Sequence, residues 1–215
     1  MKVNDVNSLH LEYRHRFQVE FHQLLAQQTF AEISFRNHDL LFANGKKPFS
    51  QTLELCFGCS FDGMALGLSR IWDKRCGDLT LISIPNLVAN FADHQFLGCD
   101  SLAIGTDDRI TFDLLANHTI RSRFRVLRTE AFAHNIQVGM SKDRDKSEIK
   151  GENSYNIVNR EAVAYCRKTL DLLGSLNDQL SFSSSWRKNK SIDEMTVEWS
   201  DRHVAFFKHF VSEVK

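Results

Sequence analysis

Proline is nearly absent from this sequence, which contains 2 prolines and 10 glycines among 215 residues. Average usage of roughly 5% proline would give about five times as many prolines. Because proline cannot continue a helix and glycine weakens one, a chain with few of either can form long helices. The shortage therefore favours a helical protein over a turn-rich β-sandwich or β-barrel.

Apolar residues recur at spacings of three and four along most of the chain, as on one face of a helix. These stripes predict helices at about 6–30, where the stripe includes Tyr13, Phe17 and Phe21, and at about 108–134, 159–180 and 191–213. Ser191-x-x-Glu194 is a capping-box pattern, which predicts that the last of these helices begins there. The segment at about 49–74 is apolar on nearly all sides, which predicts a central, buried helix.

Two shorter segments are also expected to be helical. Residues 31–44 are expected to continue the first helix as a second short helix that ends at Asn44-Gly45. Residues 79–84 alternate as a short strand would, but Ser83-Ile84-Pro85 is more typical of a helix start with proline in its first turn. The sequence therefore predicts an all-α bundle of six or seven helices in one domain, residues 1–215.

Charge and hydropathy exclude several classes of protein. Lys plus Arg and Asp plus Glu both number 27, so the formal net charge is zero. That balance excludes a strongly basic nucleic-acid coat and an acidic disordered chain. No uninterrupted apolar run reaches the roughly 18 residues of a membrane span, and the N-terminus lacks an apolar signal region. We therefore expect a cytoplasmic protein without membrane contact.

The five cysteines do not form a metal-binding pattern. Their number is odd and their positions are scattered, which in a chain without an export signal predicts free thiols. Cys56-x-x-Cys59 lacks the second ligand pair that a zinc site needs. We expect no metal and no cofactor, and we interpret Cys56 and Cys59 as buried and inert.

Arginines cluster in one segment of this neutral chain. Between positions 118 and 150, eight Lys and Arg residues stand against four Asp and Glu residues. Arg121, Arg125 and Arg128 recur at i, i+4 and i+7, which places them on one helix face. Like charges in a row repel each other, whereas guanidinium groups suit phosphate oxygens. The row therefore indicates an anionic partner such as RNA, and the alternative is an ordinary solvated surface.

His134 has two interpretations. It lies seven residues after Leu127 and three after Ala131, so it extends the apolar stripe as a buried core residue would. An imidazole has a reference pKa near 6.5, so His134 can also accept or donate a proton near neutrality.

The spacing of Arg128 and His134 resembles a known motif. Arg128-x5-His134, in the run LRTEAFAH at 127–134, resembles the Arg-x(4–6)-His motif of HEPN domains, which are helical proteins of prokaryotic defence and toxin–antitoxin systems. Thr129 stands where many active members of that family have Asn, Asp or His directly after the arginine.

An upstream block resembles the abortive-infection (AbiU-type) branch of the same family. The runs SRIWDK at 69–74, LTL at 79–81 and IPNL at 84–87 are similar to that branch in content and order. The resemblance covers about residues 10–180 and implies a HEPN-like core there. The helix at 191–213 is then expected to pack on that core.

The resemblance implies metal-independent cleavage of RNA by attack of a ribose 2′-OH on the neighbouring phosphate. In that reaction His134 would transfer a proton and Arg128 would stabilise the charge on the phosphate, with Arg121 and Arg125 as RNA contacts. A cognate antitoxin protein would be a further partner. The alternative is a non-catalytic HEPN-like module that binds a nucleotide, an RNA or a partner protein.

Helix geometry leads us to expect a homodimer. Residues i and i+6 of an ideal helix lie about 9 Å apart along the axis and about 120° apart around it, so Arg128 and His134 do not share a face. They converge only if the helix ends near His134, as Asn135 and Gly139 allow, or if a second subunit contributes. Cleavage needs a base and an acid, and a two-fold dimer would bring two histidines into one cleft.

Overall fold

A computed structural model of the protein describes residues 3–36, 48–73, 82–91, 105–126, 159–181 and 184–212. Every regular element in these ranges is a helix, and none is a strand. The α-helices are α1 (Val3–Arg36), α2 (Pro48–Ile71), α3 (Ile84–Phe91), α4 (Thr106–Ala116), α5 (Thr119–Val126), α6 (Asn159–Ser181) and α7 (Ile192–Ser212), and a short 3₁₀ helix spans Ser184–Arg187. The expected all-α architecture is confirmed for these ranges. None of these helices has both the length and the apolar character that crossing a membrane requires.

The long helix α1 lies at the centre of the bundle and packs against α2, α6 and α7. Tyr13, Phe17, Phe21 and Leu24 follow one another at spacings of three and four, and all four are fully buried. The helix continues through Arg36 without a break, so the prediction of a separate helix starting at residue 31 is wrong. Residues 37–44 of that prediction lie outside the described ranges.

Among its described side chains, helix α2 is buried on one face only. Met64 and Leu68 are buried against α1, whereas Leu55 is 67% exposed and Cys59 is also exposed. The prediction of a central, buried helix is therefore wrong, as is the expected burial of Cys59; Cys56 is half-buried. The apolar composition of α2 indicated low polarity on all sides, but it did not indicate which sides other helices would cover.

The helix predicted over 108–134 is broken in its first half, between α4 and α5. The side-chain Nδ2 of Asn117 donates to the carbonyl of Asp113 at 2.9 Å and closes α4. His118 then caps α5, because its Nδ1 accepts the backbone N–H of Ile120 at 3.3 Å. Residues 127–134 lie outside the described ranges.

Two predicted helix starts are confirmed. The Ser83 hydroxyl accepts the backbone N–H of Asn86 at 3.4 Å at the beginning of α3. Before α7, the Ser191 hydroxyl accepts the Glu194 N–H at 3.1 Å and the Glu194 carboxylate accepts the Ser191 N–H at 2.6 Å. This reciprocal pair is the capping box that the Ser-x-x-Glu pattern predicts.

Candidate nucleic-acid interface

A small cleft of about 130 Å³ lies where α5 meets the end of α2 and the first third of α6. Two of the four predicted site residues, Arg121 and Arg125, line this cleft together, one helical turn apart. The other lining residues are Leu68, Ser69, Trp72, Asp73, Ser122, Phe124 and Tyr165. The cleft therefore combines two guanidinium groups with hydroxyl and aromatic side chains.

Helix α5 is held in place by its buried face. Ile120 and Phe124 are each 1% exposed, and their spacing of four puts them on the same side of the helix. The Ser69 hydroxyl of α2 donates to the backbone carbonyl of Phe124 at 3.0 Å. This anchoring leaves Arg121 half-buried and Arg125 exposed at the cleft.

Arg121 connects three helices through its guanidinium group. Its Nη1 donates to the carbonyl of Ala116 at 2.8 Å, and its Nη2 donates to the carbonyl of Trp72 at 3.1 Å. These carbonyls lie at the C-terminal ends of α4 and α2, where the helix dipoles are negative. The guanidinium also lies 5.8 Å from the centre of the Trp72 ring. Two of its five N–H donors are thus engaged in holding the fold.

Trp72 joins α2 to α6 and α4 below the cleft. It is 2% exposed, and its indole Nε1 donates to the Thr169 hydroxyl at 3.1 Å. Its ring stacks on Phe112, with 5.8 Å between the ring centroids and an interplanar angle of 25°. Trp72, the first residue of the Trp-Asp block at 72–73, therefore packs in the core.

Tyr165 closes the cleft on the α6 side, and sequence analysis did not single it out. Its hydroxyl donates to the carbonyl of Leu115 at 3.2 Å, and its ring centroid lies 5.4 Å from that of His118. Burial raises the pKa of Tyr165 far above its usual value, so the phenol stays protonated at neutral pH. Tyr165 can act here as a neutral hydrogen-bonding group. It does not belong to the apolar stripe of Val163, Cys166 and Leu170 that predicted this helix, so no sequence pattern marked its position.

The two predicted catalytic residues, Arg128 and His134, lie outside the described ranges. Their roles stay predictions, as does contact of Arg121 and Arg125 with RNA. Within the part of the chain that the structure describes, no three His, Cys, Asp or Glu side chains gather closely enough to share a metal ion.

Comparison of the chain with protein-family models, with curated proteins and with solved structures finds no match. The resemblance to HEPN domains is therefore carried by the motifs at 69–87 and 127–134.

Proposed function

We propose that this chain is a metal-independent endoribonuclease of the HEPN type that acts in a bacterial defence or toxin–antitoxin system. The observation that carries the proposal is the cleft beside α5, which Arg121 and Arg125 line one turn apart. The same row of arginines continues in the sequence to Arg128, and His134 follows at the motif spacing. RNA in the cytoplasm is the proposed substrate.

In the proposed reaction, the 2′-OH of a ribose attacks the phosphate that follows it. His134 takes the proton from that hydroxyl, and Arg128 stabilises the negative charge that develops on the phosphate oxygens. Arg125 contacts a neighbouring phosphate, since a guanidinium group can form two parallel hydrogen bonds to phosphate oxygens. The bond between the phosphorus and the 5′ oxygen of the next nucleotide breaks, and that oxygen takes a proton from the general acid. The products are a 2′,3′-cyclic phosphate and a free 5′-OH.

The proposed active form is a homodimer in which two copies share one cleft. One motif supplies one histidine, whereas cleavage requires a base and then an acid. A two-fold axis next to the motif would supply the second imidazole from the other copy. A cognate antitoxin that covers the cleft would keep the enzyme silent.

A second candidate function is a non-catalytic helical module that binds a nucleotide, an RNA or a partner protein. The observation that favours it is the engagement of Arg121 with the carbonyls of Ala116 and Trp72. Arg121 belongs to the arginine row, and its hydrogen bonds stabilise the fold, so its presence does not require an RNA ligand. The module would keep an anion-binding surface without cleaving its ligand.

The test is incubation of RNA with the purified chain in excess EDTA, using wild type, Arg128→Ala and His134→Ala. We expect each substitution to reduce cleavage by about 100-fold or more, because each removes a group that acts on the reacting atoms. Arg202→Ala is the matched control, since Arg202 is an exposed arginine on α7. An RNA with a 2′-deoxy nucleotide at the cleavage position should resist the wild-type enzyme.

The outcomes separate the two functions. Cleavage that persists in His134→Ala, or at a 2′-deoxy position, would contradict the proposed site. RNA binding by the wild type with no cleavage would support the module instead. Light scattering of the active protein should give twice the mass of the chain, and an active monomer would rule out the shared cleft.

A further inference from the structure

Two free cysteines lie together on the side of α2 that faces away from the core. Cys56 is half-buried and Cys59 is exposed, and both are free thiols. Residues three apart on a helix are about 60° apart around its axis, so the two thiols lie on the same side of α2. The Cys56-x-x-Cys59 pattern therefore places a pair of thiols at the surface of the protein.

The surface around the two thiols is open. A Cβ added at Gly58, which lies between them in sequence, would meet no atom within 4 Å. Leu55, one turn before Cys59, is 67% exposed. A small oxidant or a thiol in solution can therefore reach Cys59, and such access is a requirement of a redox-active cysteine.

The spacing of the pair permits a disulfide after a small distortion of the helix. On an ideal helix, Cα atoms three residues apart are separated by about 5 Å, within the range of roughly 4.4–6.8 Å found in disulfides. The corresponding Cβ atoms are about 5–6 Å apart, whereas a disulfide needs about 3.5–4.5 Å. Since Cα–Cβ bonds tilt towards the N-terminus of a helix, the Cβ of Cys59 is directed towards the turn that contains Cys56. The helix must therefore tighten by about 1 Å before the bond can form.

Gly58 lowers the cost of that distortion. Glycine is a weak helix former and accepts backbone angles that other residues avoid. The open space beside Gly58 leaves room for the backbone to move. A disulfide that forms under some strain is also easier to reduce than a relaxed one. The pair thus has the properties of a reversible disulfide.

We propose that Cys56 and Cys59 form a reversible disulfide and act as a thiol redox site. A hydroperoxide oxidises the exposed Cys59 thiol to a sulfenic acid and is itself reduced to an alcohol or to water. The Cys56 sulfur then attacks the Cys59 sulfur, the S–S bond forms, and the sulfenic hydroxyl leaves as water with the Cys56 proton. Two molecules of a solution thiol such as glutathione restore both cysteines and become a disulfide. This site is additional to RNA cleavage, since it uses none of the residues proposed to act on RNA.

The test is treatment of the reduced full chain with hydrogen peroxide, followed by unfolding, alkylation with N-ethylmaleimide and mass spectrometry of tryptic peptides. Cys56 and Cys59 fall in one tryptic peptide, because no Lys or Arg lies between them. We expect that peptide to be lighter by two hydrogens and unalkylated, and to accept two alkyl groups after reduction with dithiothreitol. Cys59→Ser should prevent the disulfide, and Cys56→Ser should leave a sulfenic acid at Cys59 that dimedone labels.

Gly58→Ala tests the geometric argument without removing a thiol. Its added Cβ meets no atom within 4 Å, so the variant is expected to fold, but alanine resists distortion of the helix. At equilibrium with a glutathione buffer, its ratio of disulfide to dithiol should be about fivefold lower than in wild type, which corresponds to about 1 kcal/mol. Cys166 is the internal control, because burial raises the pKa of its thiol and peroxide should leave it reduced.

The wild-type chain alone can overturn the proposal. It is wrong if Cys56 and Cys59 are both alkylated after peroxide treatment, or if either one forms a disulfide with another cysteine or with a second chain instead. An unchanged ratio in Gly58→Ala would contradict the local distortion on which the reversibility depends.

Discussion

Replacement of Arg121 by alanine should destabilise the junction of α2, α4 and α5. The substitution removes the hydrogen bonds of 2.8 Å to the Ala116 carbonyl and 3.1 Å to the Trp72 carbonyl. It also removes the contact of the guanidinium with the Trp72 ring. Trp72 lies 49 positions before Arg121 and Ala116 belongs to the preceding helix, so no interaction within α5 replaces these hydrogen bonds.

The expected loss follows from these contacts. A hydrogen bond from a charged donor contributes about 1.5–3 kcal/mol when it is buried. Arg121 is only half-buried, so we take about 1 kcal/mol for each bond, and about 0.5 kcal/mol for the ring contact. The free energy of unfolding should therefore fall by about 2–3 kcal/mol. For a chain of this size that corresponds to a decrease in Tm of roughly 5–10 °C.

Urea unfolding followed by circular dichroism measures this loss directly. Arg125→Ala is the matched control, because Arg125 lies one turn along the same row but is exposed, and it should change the free energy by less than about 0.5 kcal/mol. Arg121→Lys should recover at most half of the loss, since one ammonium group cannot reproduce the planar fork. If Arg121→Ala unfolds within about 0.5 kcal/mol of wild type, Arg121 does not hold these helices together.

Two glycines of α2 should respond to alanine in opposite directions. An added Cβ at Gly58 meets nothing within 4 Å, so Gly58→Ala should stabilise the protein by about 0.5–1 kcal/mol. At Gly67 the added Cβ would lie 2.9 Å from Cδ2 of the buried Leu24, so Gly67→Ala should destabilise the protein by about 1–3 kcal/mol. Thermal unfolding measures both variants, and equal changes in stability for Gly58→Ala and Gly67→Ala would contradict the packing described. Burial lowers the pKa of His203 below its usual value of about 6.5, so folding disfavours its protonation. The contribution of neutral His203 to the free energy of unfolding is therefore complete above about pH 6.5 and decreases as the pH falls below that value. His203→Leu should lose less stability between pH 7.5 and pH 5.5 than wild type does. An equal loss in both proteins would refute a contribution of His203 to the pH dependence.

Local sequence patterns predicted several features that depend only on neighbouring residues. The stripe of Tyr13, Phe17 and Phe21 indicated which face of α1 is buried, because side chains three or four positions apart share one side of a helix. The Ser191-x-x-Glu194 pattern predicted the start of α7, because both hydrogen bonds of a capping box form within one turn.

Apolar periodicity predicted one continuous helix where capping side chains in fact end one helix and begin another. Apolar periodicity continued across Asn117 and His118, yet both side chains bond to the backbone and end one helix and start the next. Polar side chains of this kind offer the backbone an alternative to helical hydrogen bonds. The choice between a continuous helix and a break also depends on Ile120, which packs in the core at 1% exposure.

The sequence by itself determined the helical class of the described ranges, the buried face of α1 and the caps of α3 and α7, since each arises from interactions within about one helical turn. Only the tertiary structure decided which face of α2 stays exposed, where Arg121 directs its hydrogen bonds and where the cleft lies. The bond from Arg121 to Trp72 spans 49 positions, and the cleft needs side chains from α2, α5 and α6. Such features are fixed by how helices pack against one another, and hydrophobic spacing along a single helix does not encode that arrangement.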